Sequence, residues 1–318
     1  MNGHAEKSTR VPPAGVWAPA VTFFDPVTDE LDLQSQAKYY KYLSQYLTGL
    51  VILGTNAETF LLTRDERAEL LKTARQAVGP DYPIMAGVSG HSTKQVLEFI
   101  NDAHQAGSDY ALVLPCAYFG KQTTPKVIMN FYSQIATASP LPIVIYNFPG
   151  VCNGIDIDSD TMTTLAKNHN NIVGTKLTCA SVGKITRLAA TFPETQFATY
   201  GGQSDFLIGG LSVGSAGCIA AFANIFPKTI SHIYTLYKAG KHEEALKLHR
   251  LAADTESFSK AGIASTKFAV GLTSARFAGI EGAEAKLAPR RPYEGLSAEV
   301  KEGIRGVMAG LMEVEEGL

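Results

Sequence analysis

Two rhythms of apolar and polar residues alternate along this chain. Eight short runs rich in Val, Ile, Ala, Phe and Tyr recur in order, at about 15–24, 49–54, 83–89, 109–115, 143–149, 172–177, 196–202 and 214–223. Such continuous apolar runs suit strands covered on both faces. The segments between them carry helical spacing. Leu70, Leu71, Ala74 and Val78 share one helix face, with Thr63 and Glu66 as a capping box before it and Gly79 as its stop. Asp32 can cap a helix running through Leu47, with Tyr39, Tyr40 and Leu43 on its apolar side, and Ser92 or Thr93 opens another that ends before Gly107. Strands alternating with helices pair in parallel, and eight repeats predict an α/β fold closed as a (β/α)8 TIM barrel. An open doubly wound sheet is the alternative, but no G-x-G-x-x-G follows the first run and no Walker sequence occurs.

The strand rhythm stops near Lys238. Helical patterns follow at 242–257, 260–275 and 297–315, with a break at 289–292. The expected organisation is a flexible polar arm over 1–13, a barrel over 14–239 and a C-terminal helical extension over 240–318. The arm lacks the apolar core of a signal peptide. With 45% hydrophobic and 18% charged residues and a formal net charge of −2 over 318 residues, the chain reads as a cytoplasmic globular protein. It has no basic excess to attract nucleic acid, and no apolar run near the roughly 20 residues that span a bilayer. Four cysteines without C-x-x-C spacing read as reduced thiols. Seven scattered histidines show neither H-x-H nor H-E-x-x-H spacing, so neither a metal nor another cofactor is expected.

Chemistry concentrates where three of the runs end. Lys176 closes the run Ile172–Leu177, Tyr146 and Asn147 close Ile143–Asn147, and Gly54-Thr55-Asn56-Ala57-Glu58 follows Val51–Leu53. In a parallel barrel the C-terminal strand ends converge on the active site. A lysine in a half-dry pocket can present a neutral amine and form a Schiff base with a ketone. A neighbouring tyrosine can shuttle the protons that carbinolamine formation and carbon–carbon cleavage require. Thr55, Asn56 and the backbone around them offer donors for a carboxylate. Taken singly, Tyr146 reads better as a core tyrosine with a satisfied hydroxyl, and Thr55 and Asn56 read as ordinary turn residues; their joint occurrence with Lys176 favours catalysis.

The Gly54–Glu58, Tyr146-Asn147-Phe148-Pro149 and Gly174-Thr175-Lys176 segments resemble motifs of the dihydrodipicolinate synthase/N-acetylneuraminate lyase family, in matching order and spacing from about Gly15 to Asn224. The resemblance implies a pyruvate-dependent class I aldolase or lyase, assembled as a homotetramer (a dimer of dimers). It implies Lys176 as the Schiff-base lysine, Tyr146 as proton relay, and Thr55 supporting Tyr146 and, with Asn56, holding the carboxylate of a 2-oxo acid. Ile219 would offer its backbone carbonyl near the amine. Gly202, Gln203, Ser204 and Asp205 fall where related lyases bind a hydroxylated tail.

The departures from the family pattern narrow the substrate. Dihydrodipicolinate synthases carry an arginine shortly after the tyrosine motif, where this chain reads Gly150-Val151-Cys152-Asn153-Gly154. Ala221 replaces a serine used on sialic acid, Ala57 replaces a glycine, and Ala117 occupies the slot of the partner-subunit tyrosine, with Tyr118 one place later. The expected activity is cleavage of a 2-oxo-3-deoxy sugar acid or 4-hydroxy-2-oxoglutarate. A 2-oxo-3-deoxy acid dehydratase, a synthase-type condensation and a non-catalytic 2-oxo acid binding protein are the alternatives.

Overall fold

The computed structural model describes residues 10–318. Eight parallel strands close a barrel in sequence order: β1 (Gly15–Pro19), β2 (Gly49–Ile52), β3 (Ile84–Gly87), β4 (Tyr110–Val113), β5 (Ile143–Asn147), β6 (Ile172–Leu177), β7 (Ala198–Gly201) and β8 (Gly217–Ile219). Closure joins Gly15, Val16 and Trp17 of β1 to Gly217, Cys218 and Ile219 of β8. The strands are shorter than the apolar runs that announced them. Past β1, Ala20 N still donates to Val51 O at 3.0 Å, whereas Val21, Phe23 and Phe24 stay buried but leave the ladder. The buried Gln36 side chain serves that stretch instead, accepting from Phe23 N at 2.9 Å and donating to Val21 O at 3.0 Å. Backbone polar groups there are satisfied without a neighbouring strand.

Side-chain alternation builds two cores. Val16, Leu50, Ile52, Ile84, Ile143 and Ile145 belong to the layer between sheet and helices. Trp17, Val51, Met85, Tyr110, Val144 and Tyr200 fill the barrel interior. Trp17 meets Tyr110 and Tyr200 edge-on at 6.3 Å. Their polar tips converge on the chain just before β1. Tyr110 Oη donates to Val11 O, Tyr200 Oη lies 2.9 Å from Pro12 O and Pro13 O, and Trp17 Nε1 donates to Pro13 O. Val11–Pro13, grouped with the arm in the sequence, thus stopper the N-terminal end of the barrel. The arm's first nine residues lie outside the described residues.

Asp32, Thr63 and Ser92 cap their helices as expected, and the Thr63–Glu66 box is complete. The first helix stops at Leu43 rather than Leu47. Its last turn tightens to three-residue hydrogen bonds, Gln45 N to Tyr42 O and Tyr46 N to Leu43 O, which brings Leu47 into the core. The single helix expected over 260–275 is divided into Ser257–Ala261, Ile263–Leu272 and Ser274–Phe277. Gly262, at φ 131°, makes the first break, a conformation that disfavours other residues. Among the described residues, no helix is long and apolar enough to cross a membrane.

Candidate active site

Lys176 reaches the barrel interior through an irregularity in β6. The ladder pairs Ile143 with Ile172, then Val144 with Gly174, so Val173 is an extra residue. Beyond this bulge Tyr146 stands directly opposite Lys176. Side chains along a strand alternate faces, so the insertion reverses the facing of everything after it. Without it Thr175 would oppose Tyr146 and Lys176 would face the helices. Gly174 is needed beside the bulge, because a Cβ there would meet Ala198 O at 2.5 Å. Lys176 is 3% exposed, with Nζ 4.2 Å from the Tyr146 ring centroid.

The Tyr146 hydroxyl and Thr55 Oγ1 lie 3.3 Å apart, either able to donate. The Tyr146 ring stacks on Phe148 at 5.9 Å. Asn147 points the other way and organises the following loop: its amide donates to Asp156 Oδ1, and its oxygen accepts from Ile157 N. Thr55–Ala57 form one 3-10 turn after β2. Gly54 itself is extended, and the left-handed positions are Leu53 (φ 65°) and Glu58 (φ 58°). Ala57 is not among the positive-φ residues, so its side chain carries no backbone penalty there.

Thr55, Asn56, Tyr146, Lys176, Gly202 and Gln203 line one cleft of about 350 Å³ at the strand ends. Four other expected site residues do not line it. Ser204 is buried with its hydroxyl 2.6 Å from Glu256 Oε2. Asp205 pairs with Lys260. Ile219 is fully buried in the barrel interior, beside Trp17 in the ladder. Tyr118 is 73% exposed, its ring 5.9 Å from that of His91, while Ala117 is buried. Of the stretch expected to meet a hydroxylated tail, Gly202 and Gln203 line this cleft, while the Ser204 hydroxyl turns to Glu256. Tyr118 and its neighbour Phe119 are exposed, as is Phe60 in the separate turn Thr59–Leu61, with the Phe60 ring 5.8 Å from that of His91.

The far wall of the cleft comes from residues the sequence reading passed over. Glu256, Ser259, Lys260, Ile263 and Thr266 all belong to the C-terminal helices. No local motif marks them, because they reach the site only through the fold. Thr178 also lines the cleft, and its buried Oγ1 has no hydrogen-bond partner among the described residues. Its place two residues after Lys176, on the same face of an extended chain, was a usable signal. Among the described residues, no three His, Cys, Asp or Glu side chains are placed to hold a metal ion. All four cysteines are free, and burial pushes the Cys218 thiol up and that of Cys152 to about 12.

Glu256 gives the cleft a pH response. Desolvation raises its carboxyl to about 7, outweighing the Ser204 hydrogen bonds, with Asp205 adding to the rise and Lys260 opposing it. His249, bonded to Ser204 O, is shifted down by burial, and the Cys218 thiol faces the same carboxylate. The folded state therefore binds this proton more tightly than the unfolded chain. The associated stability is full below the ordinary value of 4.5 and is lost as pH rises through about 7. Glu256→Gln should remove that loss. Relative to the parent, it should gain on the order of 3 kcal/mol in moving from acidic to mildly alkaline pH. Paired denaturant melts at the two pH values check this, and a parent–variant difference independent of pH would contradict it.

With this geometry in place, comparison with known proteins decides the family. The sequence pattern of the dihydrodipicolinate synthetase family matches residues 12–308. The chain belongs to that family. A Coccidioides immitis protein provisionally named a mitochondrial 4-hydroxy-2-oxoglutarate aldolase is 66% identical over 310 residues, covering 97% of this chain and 99% of that protein. An L-threo-3-deoxy-hexylosonate aldolase of Aspergillus niger is 34% identical over 333 residues, covering 96% of each. The crystal structure of a dihydrodipicolinate synthase family protein from Coccidioides immitis superposes with a TM-score of 0.92 at 64% identity, over 97% of this chain and 99% of that one. The (β/α)8 barrel and its C-terminal helices are thus the fold of this family member.

Proposed function

We propose that this family member is a class I aldolase that cleaves 4-hydroxy-2-oxoglutarate or a 2-oxo-3-deoxy sugar acid through a Schiff base on Lys176. The carrying observation is the buried amine of Lys176 against Tyr146, whose hydroxyl meets Thr55 in the same cleft. Relatives named as aldolases for these two substrate types support the reading.

The chemistry follows from the groups present. Lys176 Nζ adds to the C2 ketone, and loss of water gives a protonated imine. Thr55 and Asn56 hold the adjacent carboxylate. The C4 hydroxyl gives up its proton toward the Tyr146 relay as the C3–C4 bond breaks, and that electron pair moves into the imine to form an enamine. The C4 fragment leaves as an aldehyde, which is glyoxylate when the substrate is 4-hydroxy-2-oxoglutarate. Protonation of C3 and hydrolysis then release pyruvate and regenerate the amine. The imine is the electron sink, so the reading invokes no cofactor.

Val151 and Cys152, not an arginine, follow the tyrosine motif, and Val151 lines the cleft. The lysine-precursor condensation would leave a second carboxylate unpaired there. We further propose a homotetramer in which a second copy covers the exposed Phe60, Tyr118 and Phe119. For location, the Coccidioides relative is named mitochondrial, which makes a mitochondrial enzyme a better reading than a cytoplasmic one.

Product analysis tests the proposal. Pyruvate should appear from 4-hydroxy-2-oxoglutarate or from a 2-oxo-3-deoxy hexonate, while pyruvate with aspartate semialdehyde should condense at least about a hundredfold more slowly. Rapid condensation without cleavage of either acid would overturn it.

A further inference from the structure

The Thr55–Asn56 turn is held in place from a distance. Two left-handed non-glycine residues bracket it, Leu53 at φ 65° and Glu58 at φ 58°. Such conformations persist when the surroundings fix them. Around Leu53 the fixing is steric: its carbonyl packs on Gly87, where a Cβ would come within 1.9 Å. At Glu58 it is ionic. Lys267 Nζ donates to Glu58 Oε1 at 2.6 Å, with side-chain exposures of 0% and 3% and 209 residues between the partners. The second carboxylate oxygen accepts from Arg290 N at 2.7 Å. Lys267 Nζ also donates to Ala288 O at 2.9 Å and lies 4.6 Å from the Phe24 ring centroid.

This pair joins two elements that line the cleft. Glu58 ends the turn that carries Thr55 and Asn56 on one wall, and Lys267 sits beside Thr266 on the helix that supplies Ile263 and Thr266 to the other. A buried ion pair is a poor way to gain stability, because apolar residues of similar volume stabilise as well or better. It does impose a length and a direction, which hydrophobic contact does not. Glu58 has both oxygens engaged, so its main chain cannot shift without breaking a buried, charge-assisted bond.

We propose that Lys267 and Glu58 are positioning residues: a buried clamp that holds Thr55 and Asn56 at the distance from Lys176 at which they bind the substrate carboxylate. The clamp touches no substrate. It rests on the aldolase reading only for what that carboxylate belongs to.

Removing one partner strands the other charge, so the informative variant removes both. Glu58→Gln with Lys267→Met keeps side-chain volume and leaves no buried charge, and it should melt close to the parent. Its KM for the cleaved 2-oxo acid should rise about tenfold or more, because carboxylate binding is common to ground state and transition state, with a smaller fall in kcat because Thr55 also meets the Tyr146 hydroxyl. Borohydride at saturating pyruvate should still label Lys176. Glu58→Asp, which keeps the charge but shortens the reach, should give a smaller rise in KM and a still smaller fall in kcat. A double variant that folds with unchanged KM overturns the clamp, and so does a fall in melting temperature with KM unmoved. Should the double variant not fold, an unchanged KM in Glu58→Asp overturns it equally. Calorimetric titration with pyruvate reads the same weakening without turnover. A parent that binds pyruvate but is never labelled would count against the Schiff base and leave the clamp to be judged by that titration.

Discussion

Borohydride reduction in the presence of pyruvate is expected to fix a covalent adduct on Lys176, and both Lys176→Met and Lys176→Arg to abolish cleavage. The two substitutions separate covalent from electrostatic roles. Lys176 lies against the Tyr146 ring at the end of the cleft, a position from which a cation alone could attract a carboxylate. Arginine keeps that charge but cannot lose a proton to become a nucleophile. If the amine only attracts the substrate, Lys176→Arg retains much of the rate. If it forms the imine, both variants lose on the order of 10⁴–10⁶-fold, as with other deleted nucleophiles. Peptide mass mapping after reduction gives the direct answer. An adduct on Lys260, also on the cleft wall, or no adduct at all, would remove the Schiff-base assignment.

The parts of this molecule that were legible in the sequence are those encoded locally. Strand and helix order follows from apolar runs and caps such as Thr63 with Glu66, which need no knowledge of the fold. Lys176, Tyr146 and Thr55 could be placed together because a parallel barrel gathers its strand ends at one mouth. What stayed hidden depends on phase or on distance. Val173 looks like any apolar residue in its run, yet as the extra residue of a bulge it determines which way Lys176 points. Glu256 lies 52 residues from Ser204, and Lys267 lies 209 from Glu58; neither carries a motif. The partner of the Ser204 hydroxyl was hidden for the same reason, since the chain near it does not reveal Glu256.

These hidden residues make the site a product of both halves of the chain. The strand ends supply the amine, the phenol and the Thr55–Asn56 turn, while the C-terminal helices supply further lining residues and the lysine paired with Glu58 at the end of that turn. Substrate length is therefore expected to be governed more by Glu256, Ser259 and Lys260 than by the barrel motifs. The bond-breaking step, by contrast, should depend on the strand ends.

Tyr146→Phe isolates that step. The substitution deletes one oxygen and leaves the ring, so the contacts with Phe148 and Lys176 survive. The Tyr146 hydroxyl's partner here is Thr55 Oγ1, at the moderate distance of 3.3 Å. The stability cost should therefore be about 1 kcal/mol or less. The kinetic cost should be far larger. The hydroxyl meets Thr55 Oγ1 and is carried on the ring that lies 4.2 Å from Lys176 Nζ, and the proposed reaction needs a proton moved there in two separate steps: dehydration of the carbinolamine and cleavage of C3–C4. General acid–base groups typically contribute 10²–10⁴-fold, so kcat should fall by about that range while the melting temperature stays within a few degrees. Labelling by borohydride should slow but still reach Lys176, since the proposed relay assists imine formation and does not supply the nitrogen. Thr55→Val should lower kcat less than Tyr146→Phe does, because it loosens the phenol without removing it. A Tyr146→Phe enzyme within about threefold of the parent would make this tyrosine a packing residue and leave the proton relay to another group.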